Sequence, residues 1–108
     1  PPFIRGENPS PNAQNVPVNT VVSFEILDGE TGVDRNSVNF RVNGITIDLI
    51  DNENIEEVSY HDTSGYYIYY QPQNPFEYGQ QIQINIFAMD LSSNFNQVTE
   101  NYSFTCEP

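Results

Sequence analysis

The chain has 108 residues and a formal net charge of -12, from 3 Lys and Arg against 15 Asp and Glu. This length fits one domain with a single core, and the shortage of cations excludes binding to a nucleic-acid phosphate backbone. No apolar run is long enough to insert into a membrane. The first residues lack the pattern of a secretion signal, so we expect a mature or excised fragment.

Prolines crowd the first 17 residues, at Pro1, Pro2, Pro9, Pro11 and Pro17. Proline breaks helices and is confined to the edges of sheets, so we predict an extended edge strand broken by turns. Residues 1–12 are a Pro-rich lead-in or linker within a single domain over 1–108. Pairing of this segment with the sheet edge of a neighbouring copy would build a fibre, and such strand exchange is one alternative for the biology.

A second strand is predicted where Val22, Phe24 and Ile26 alternate with their neighbours, which places these three side chains on a buried face. The strand ends at Asp28. The loop that follows, over residues 28–34, has two glycines and an excess of carboxylates, which indicates a turn.

The strongest local signal is Asn43-Gly44, which follows the alternating Val38, Phe40 and Val42. A type I′ turn needs positive φ at both central positions, so this dipeptide between two apolar alternations predicts a β-hairpin that continues through Ile47 and Leu49. The acidic run over residues 48–57 is interpreted as a solvated turn and a short edge segment.

Aromatic and β-branched residues dominate residues 66–70 and predict another strand. Tyr66, Ile68 and Tyr70 share one face, and Tyr67 and Tyr69 share the other. One tyrosine pair must therefore face outward, where it would suit the stacking of sugar rings.

The central strand is predicted within residues 79–94, because Ile82, Ile84, Ile86 and Ala88 alternate with polar residues up to Asp90. Val98, Tyr102 and Phe104 belong to the last strand. The pattern gives about seven strands and no helical period, which predicts an all-β antiparallel β-sandwich.

Several segments carry a family resemblance: Phe24-Glu25-Ile26-Leu27-Asp28, Gly32-Val33-Asp34, Val42-Asn43-Gly44 and Ala88-Met89-Asp90-Leu91-Ser92-Ser93-Asn94. With them the chain resembles the bacterial immunoglobulin-like (Big/cadherin-like) modules of surface adhesins, secreted multidomain proteins and phage structural proteins. It departs from that pattern at Ser93, where Gly is usual, and at Cys106. The resemblance implies that the all-β sandwich is an immunoglobulin-like antiparallel β-sandwich, and it implies an extracellular, cell-surface or virion location and tandem copies.

One constellation has the chemistry of a metal site. In such a sandwich the loop over residues 28–34 and the loop over residues 90–94 emerge at the same end, which we call the acidic rim. The candidate metal ligands in these loops are Asp28, Glu30, Asp34, Asp90 and Asn94. Carboxylate and amide oxygens are the ligands that calcium prefers, and the resemblance implies calcium at Asp28, Asp34 and Asp90. The alternative is a hydrated rim without a metal.

The chain has one histidine and one cysteine, His61 and Cys106, which lie far apart in the sequence. His61 is interpreted as a surface turn residue, and Cys106 as a bystander at the end of the last strand, with a crosslink to a neighbouring copy as its alternative. We therefore predict no enzyme. The expected function is a non-catalytic structural or adhesive module that contacts neighbouring domains or copies. The alternative is a carbohydrate-binding module that contacts surface glycans through Tyr67 and Tyr69, or through Tyr66 and Tyr70.

Overall fold

Two four-stranded antiparallel sheets make up the fold in the computed structural model, which describes residues 1–60 and 64–108. The strands are β1 (Phe3–Asn8), β2 (Val22–Leu27), β3 (Val33–Val42), β4 (Ile45–Thr46), β5 (Ile55–Tyr60), β6 (Gly65–Tyr70), β7 (Gln81–Asp90) and β8 (Gln97–Thr105). Their order is β1-β2-β6-β5 in one sheet and β4-β3-β7-β8 in the other. The predicted immunoglobulin-like β-sandwich is confirmed, with eight strands instead of about seven. Within the described ranges, no helix of a length and hydropathy that could cross a membrane is found.

The core lies between the two sheets and is filled by the apolar residues whose alternation predicted the buried strand faces. Val22, Phe24 and Ile26 of β2 are fully buried. So are the inward residues of β7, which are Ile82, Ile84, Ile86 and Ala88. The strand predicted to be central, β7, indeed lies between β3 and β8.

The Pro-rich segment contributes an edge strand, as predicted. β1 pairs with β2 of its own chain, with Ile4 opposite Ile26, and the register breaks between Arg5 and Asn8. Residues 3–8 of the segment predicted as lead-in or linker therefore belong to the sheet. Strand exchange between copies would require β1 to pair with another copy, whereas here β1 pairs with β2 of its own domain.

The Asn43-Gly44 turn joins β3 to β4 and has the predicted positive φ values, 53° at Asn43 and 79° at Gly44. The second arm is shorter than predicted: β4 covers only Ile45 and Thr46, and one further bond follows, from the backbone N–H of Ile47 to the Phe40 carbonyl at 2.8 Å. Beyond it, the carboxylate of Asp48 accepts the backbone N–H of Ile50 and closes a turn. The rest of the acidic run ends in β5, which is an edge strand as predicted.

A large bulge interrupts the pairing of β3 with β7. Asp34 lies opposite Met89 and Asn39 lies opposite Phe87, so five steps along β3 match only two along β7. The Ser37 hydroxyl fills the gap: it accepts the backbone N–H of Met89 at 2.7 Å and donates to the Asp34 carbonyl at 2.7 Å. Bulges of this kind bend a strand and increase its twist, so the outer face of this sheet is not flat here.

Candidate functional site

Asp28 stands at the end of β2 and is only 4% exposed. One carboxylate oxygen, Oδ1, accepts the backbone N–H groups of Glu30 and Thr31, both at 3.1 Å, and Oδ2 accepts the Thr31 hydroxyl at 2.9 Å. Burial raises the pKa of Asp28, but the hydrogen bonds from Thr31 and Glu30 outweigh it, so the pKa lies below its usual value. The carboxylate is therefore ionised and organises its own loop.

Asp90 ends β7 and is 1% exposed. Its Oδ1 accepts the Ser92 hydroxyl at 2.7 Å and the Ser92 backbone N–H at 3.1 Å, and its Oδ2 accepts the Asn96 side-chain amide at 3.1 Å. Burial raises the pKa of Asp90, and the hydrogen bonds from Ser92 and Asn96 lower it by more, so this carboxylate is ionised too.

The two aspartates converge, although 62 positions separate them in the sequence. The Thr31 hydroxyl that bonds Asp28 is also close enough to Asp90 to lower its pKa. The Pro1 nitrogen lies 3.8 Å from Oδ2 of Asp28 and 4.0 Å from Oδ2 of Asp90. The loops are also joined by their backbones, since the N–H of Leu91 donates to the carbonyl of Gly32 at 3.1 Å. The structure thus brings the predicted loops together at the acidic rim.

The other three predicted ligands do not join them. Val33 pairs with Asp90 and is buried, so Asp34, one residue on, belongs to the outer face of the sheet and bonds the backbone N–H of Asn36. Glu30 and Asn94 are exposed. The amide that reaches Asp90 is that of Asn96, two residues beyond the predicted Asn94.

The predicted calcium set is therefore incomplete. Among residues 1–60 and 64–108, no three His, Cys, Asp or Glu side chains cluster as metal ligands. Three oxygens converge, from Asp28, Asp90 and Thr31, whereas calcium takes six to eight. Calcium binding stays a prediction, and Asp28 and Asp90 are the carboxylates that would hold the ion.

Sequence reasoning missed Thr31 and Asn96. Thr31 had a local signal: in Asp28-Gly29-Glu30-Thr31, an Asp followed by a turn residue and a hydroxyl three positions on is the pattern of a side chain that caps its own turn. Asn96 had none, because its role depends on how residues 91–96 fold back onto Asp90.

Of the two tyrosine pairs of the carbohydrate alternative, Tyr67 and Tyr69 lie on the outer face of β6. Tyr66 and Ile68 are buried beneath them, and Tyr67 and Tyr69 are half-buried. Tyr67 lies opposite Glu25 and Val58 in the neighbouring strands, and Tyr69 opposite Ser23 and Glu56. Much of each ring is therefore covered by cross-strand neighbours rather than presented to solvent.

Cys106 follows β8 and is 2% exposed. Burial, with a smaller contribution from the charge of Glu107, raises the pKa of its thiol. A buried, protonated thiol fits the bystander interpretation better than a crosslink to another copy. The predicted surface histidine, His61, lies outside the described residues.

Comparison with known proteins supplies a fold and no family. No protein-family model matches the chain, and no curated protein does. Among solved structures, the crystal structure of CopC from Methylosinus trichosporium OB3b superposes with a TM-score of 0.62 at 14% identity, over 99% of this chain and 94% of that one. At this identity the similarity establishes the shared β-sandwich fold alone.

Proposed function

We propose that the chain is a non-catalytic structural or adhesive module, similar to bacterial immunoglobulin-like domains, within a larger extracellular, cell-surface or virion protein. The observation that carries this proposal is the convergence of Asp28 and Asp90 at the acidic rim. Two loops far apart in the sequence are fixed to each other there, at an end of the sandwich. Because the loops at this end are fixed to each other, the domain is rigid there. A rigid domain can serve as a spacer or as a contact surface for a neighbour.

The chemistry of these aspartates supports a structural role. Each carboxylate accepts its hydrogen bonds from its own loop, and the bond from the backbone N–H of Leu91 to the carbonyl of Gly32 connects the two loops. Ionised carboxylates that accept several N–H and O–H groups are held in place and stabilise the loops that supply the donors. The proposed partners are neighbouring domains or other copies of the chain.

Bound calcium would stabilise the acidic rim in addition to the hydrogen bonds of Asp28 and Asp90. If the ion binds with a Kd of about 10⁻⁴ to 10⁻³ M, as extracellular modules do, about 1 mM calcium stabilises the fold by about 0.4 to 1.4 kcal/mol. The hydrogen bonds that Asp28 and Asp90 accept come from donors of the chain itself. We therefore assign most of the stability of the rim to the hydrogen bonds.

The substitution Asp90→Asn tests this assignment. It replaces an acceptor of three hydrogen bonds by a group with a single acceptor oxygen, so we expect the melting temperature to fall by about 5 to 10 °C. The measurement is a thermal melt followed by circular dichroism, run with 1 mM calcium and again with excess chelator. The fall should persist in chelator and should exceed the change that chelation causes in the wild type.

The matched control is Glu53→Gln, which removes one negative charge from an exposed side chain. It should melt within about 1 °C of the wild type. Two results contradict the proposal. One is a fall in the melting temperature of Asp90→Asn that disappears in chelator, which would mean that Asp90 stabilises the fold only by binding calcium. The other is equal melting of both variants.

A further inference from the structure

A groove of about 570 Å³ lies on the outer face of the β3-β7-β8 sheet, on the other sheet from Tyr67 and Tyr69, and neither Asp28 nor Asp90 lines it. Two cross-strand rows line it. One row runs Asn39-Phe87-Thr99 and the next runs Arg41-Asn85-Asn101. Ser37 of the β3 bulge lines it as well. Its volume falls within the range of about 300 to 1,000 Å³ that is typical of small-molecule sites.

Phe87 gives the groove a flat apolar surface. It lies on the outward face of the central strand β7, is only half-buried, and has Asn39 and Thr99 as its cross-strand neighbours. Among the described residues, the close aromatic pairs do not include it. An outward phenylalanine flanked by polar groups is the surface that the C–H face of a sugar ring covers well.

The polar groups around Phe87 are suited to hydroxyl groups. The side-chain amide of Asn85 donates to Oδ1 of Asn101 at 2.6 Å, which fixes both amides. This bond leaves Oδ1 of Asn85 as an acceptor and the amide N–H groups of Asn101 as donors. Each sugar hydroxyl both donates and accepts, so a row that offers both kinds of group matches it.

The charge of the groove differs from that of the rest of the molecule. Of the three arginines, Arg5 lies 3.5 Å from the carboxylate of Glu25 and Arg35 lies 2.6 Å from that of Glu57. Arg41 is exposed in the groove and, within the described ranges, lies within 4.0 Å of no carboxylate. The groove lining itself consists of amide, hydroxyl, guanidinium and apolar side chains. Its donors therefore remain available to a ligand.

We propose that this groove binds a neutral pyranose oligosaccharide, with one ring stacked on Phe87 and its hydroxyl groups bonded to Asn85, Asn101 and Arg41. The overall charge of -12 repels polyanionic glycans at long range, which favours neutral ones. The proposal goes beyond the structural role assigned to the acidic rim. It assigns a class of ligand, neutral oligosaccharides, and a binding surface, the outer face of the β3-β7-β8 sheet, to an adhesive module.

The test is an NMR titration of the ¹⁵N-labelled chain with maltotriose, cellotriose, xylotriose, galactotriose and N-acetylchitotriose, each to about 10 mM, because shallow polar sites bind weakly. At least one neutral probe should shift the resonances of Asn85 and Asn101. Phe87→Leu keeps an apolar side chain but removes the flat ring, and it should weaken that binding at least about tenfold. Tyr67→Leu, on the opposite sheet, is the control and should bind like the wild type.

Three results would overturn the proposal. The first is the absence of shifts with every neutral probe. The second is binding that Tyr67→Leu abolishes and Phe87→Leu does not, which would place the sugar on the tyrosine face. The third comes from repeating the titration with oligogalacturonate, a polyanionic probe: its binding in the groove with no neutral probe bound would contradict the proposal. None of these results bears on the acidic rim, which the melting experiment tests separately.

Discussion

Phe40→Ala is expected to lower the free energy of unfolding by about 3 to 5 kcal/mol, a large share of the stability of a domain of this size. Phe40 is fully buried on β3. Its ring packs edge-on against Phe24 at 5.1 Å and against Tyr70 at 5.7 Å, measured between ring centroids. Both partners belong to the opposite sheet, so the substitution opens a cavity where the sheets meet.

Urea denaturation followed by circular dichroism measures this effect. Phe3→Ala is the matched control, since Phe3 is 49% exposed at the sheet edge and its truncation should cost less than about 1 kcal/mol. Similar losses for the two variants would contradict the two-layer packing, because they would place Phe40 outside a shared core.

The second large effect is a dependence of stability on pH that arises from Glu7 and Glu100. The inward face of β8 carries Glu100 between Val98 and Tyr102, and Glu7 of the edge strand β1 lies within hydrogen-bonding distance of its carboxyl. Oε2 of Glu100 and the hydroxyl of Tyr102 are buried, and no donor in the described residues reaches either. The strand on the other side, β7, places apolar Ile86 opposite Glu100. Two carboxyl groups can bond each other only through a shared proton.

Burial, together with the hydrogen bond to Glu7 and its negative charge, raises the pKa of Glu100 to about 7 from an ordinary value of 4.5. The folded chain therefore holds a proton that the unfolded chain releases between those values. The stabilisation is complete below about pH 4.5 and is lost as the pH rises through 7. After allowance for solvent screening we expect a loss of about 1 to 2 kcal/mol between pH 5 and 8.

Glu100→Gln isolates this contribution, because it keeps the shape of the side chain and supplies a permanent donor to Glu7. Melting temperatures at pH 5 and pH 8 are the measurement. The variant should match the wild type at pH 5, should melt several degrees above it at pH 8, and should change less between the two. A wild type and a variant with parallel pH profiles would show that the two carboxyl groups do not share a proton.

The architecture was predictable because it depends on local patterns. The alternation of Ile82, Ile84 and Ile86 identified the central strand, and Asn43-Gly44 identified a hairpin, because only positive φ values close such a turn. The length of the second hairpin arm was not predictable, because the apolar alternation continues through Ile47 and Leu49 whereas β4 ends at Thr46. The convergence of Asp28 with Asp90 followed from the topology alone.

The details of the sites depended on register, which the sequence does not show. Asp34 follows buried Val33 on β3, and this single step moves it to the opposite face from Asp90. The groove around Phe87 is lined in part by Ser37 of the β3 bulge, and the alternation of Val38, Phe40 and Val42 does not show where that bulge lies. Glu7 and Glu100 meet only because β1 and β8 lie at adjoining edges of two different sheets.

The connection between the two loops of the acidic rim is tested most directly by a carboxyl NMR titration of the wild type and of Thr31→Val. The substitution removes one hydroxyl and keeps the backbone N–H that bonds Asp28. That hydroxyl lowers the pKa of both Asp28 and Asp90, so both pKa values should rise in the variant. A rise at Asp28 alone, with Asp90 unchanged, would contradict the claim that the two loops meet at one site.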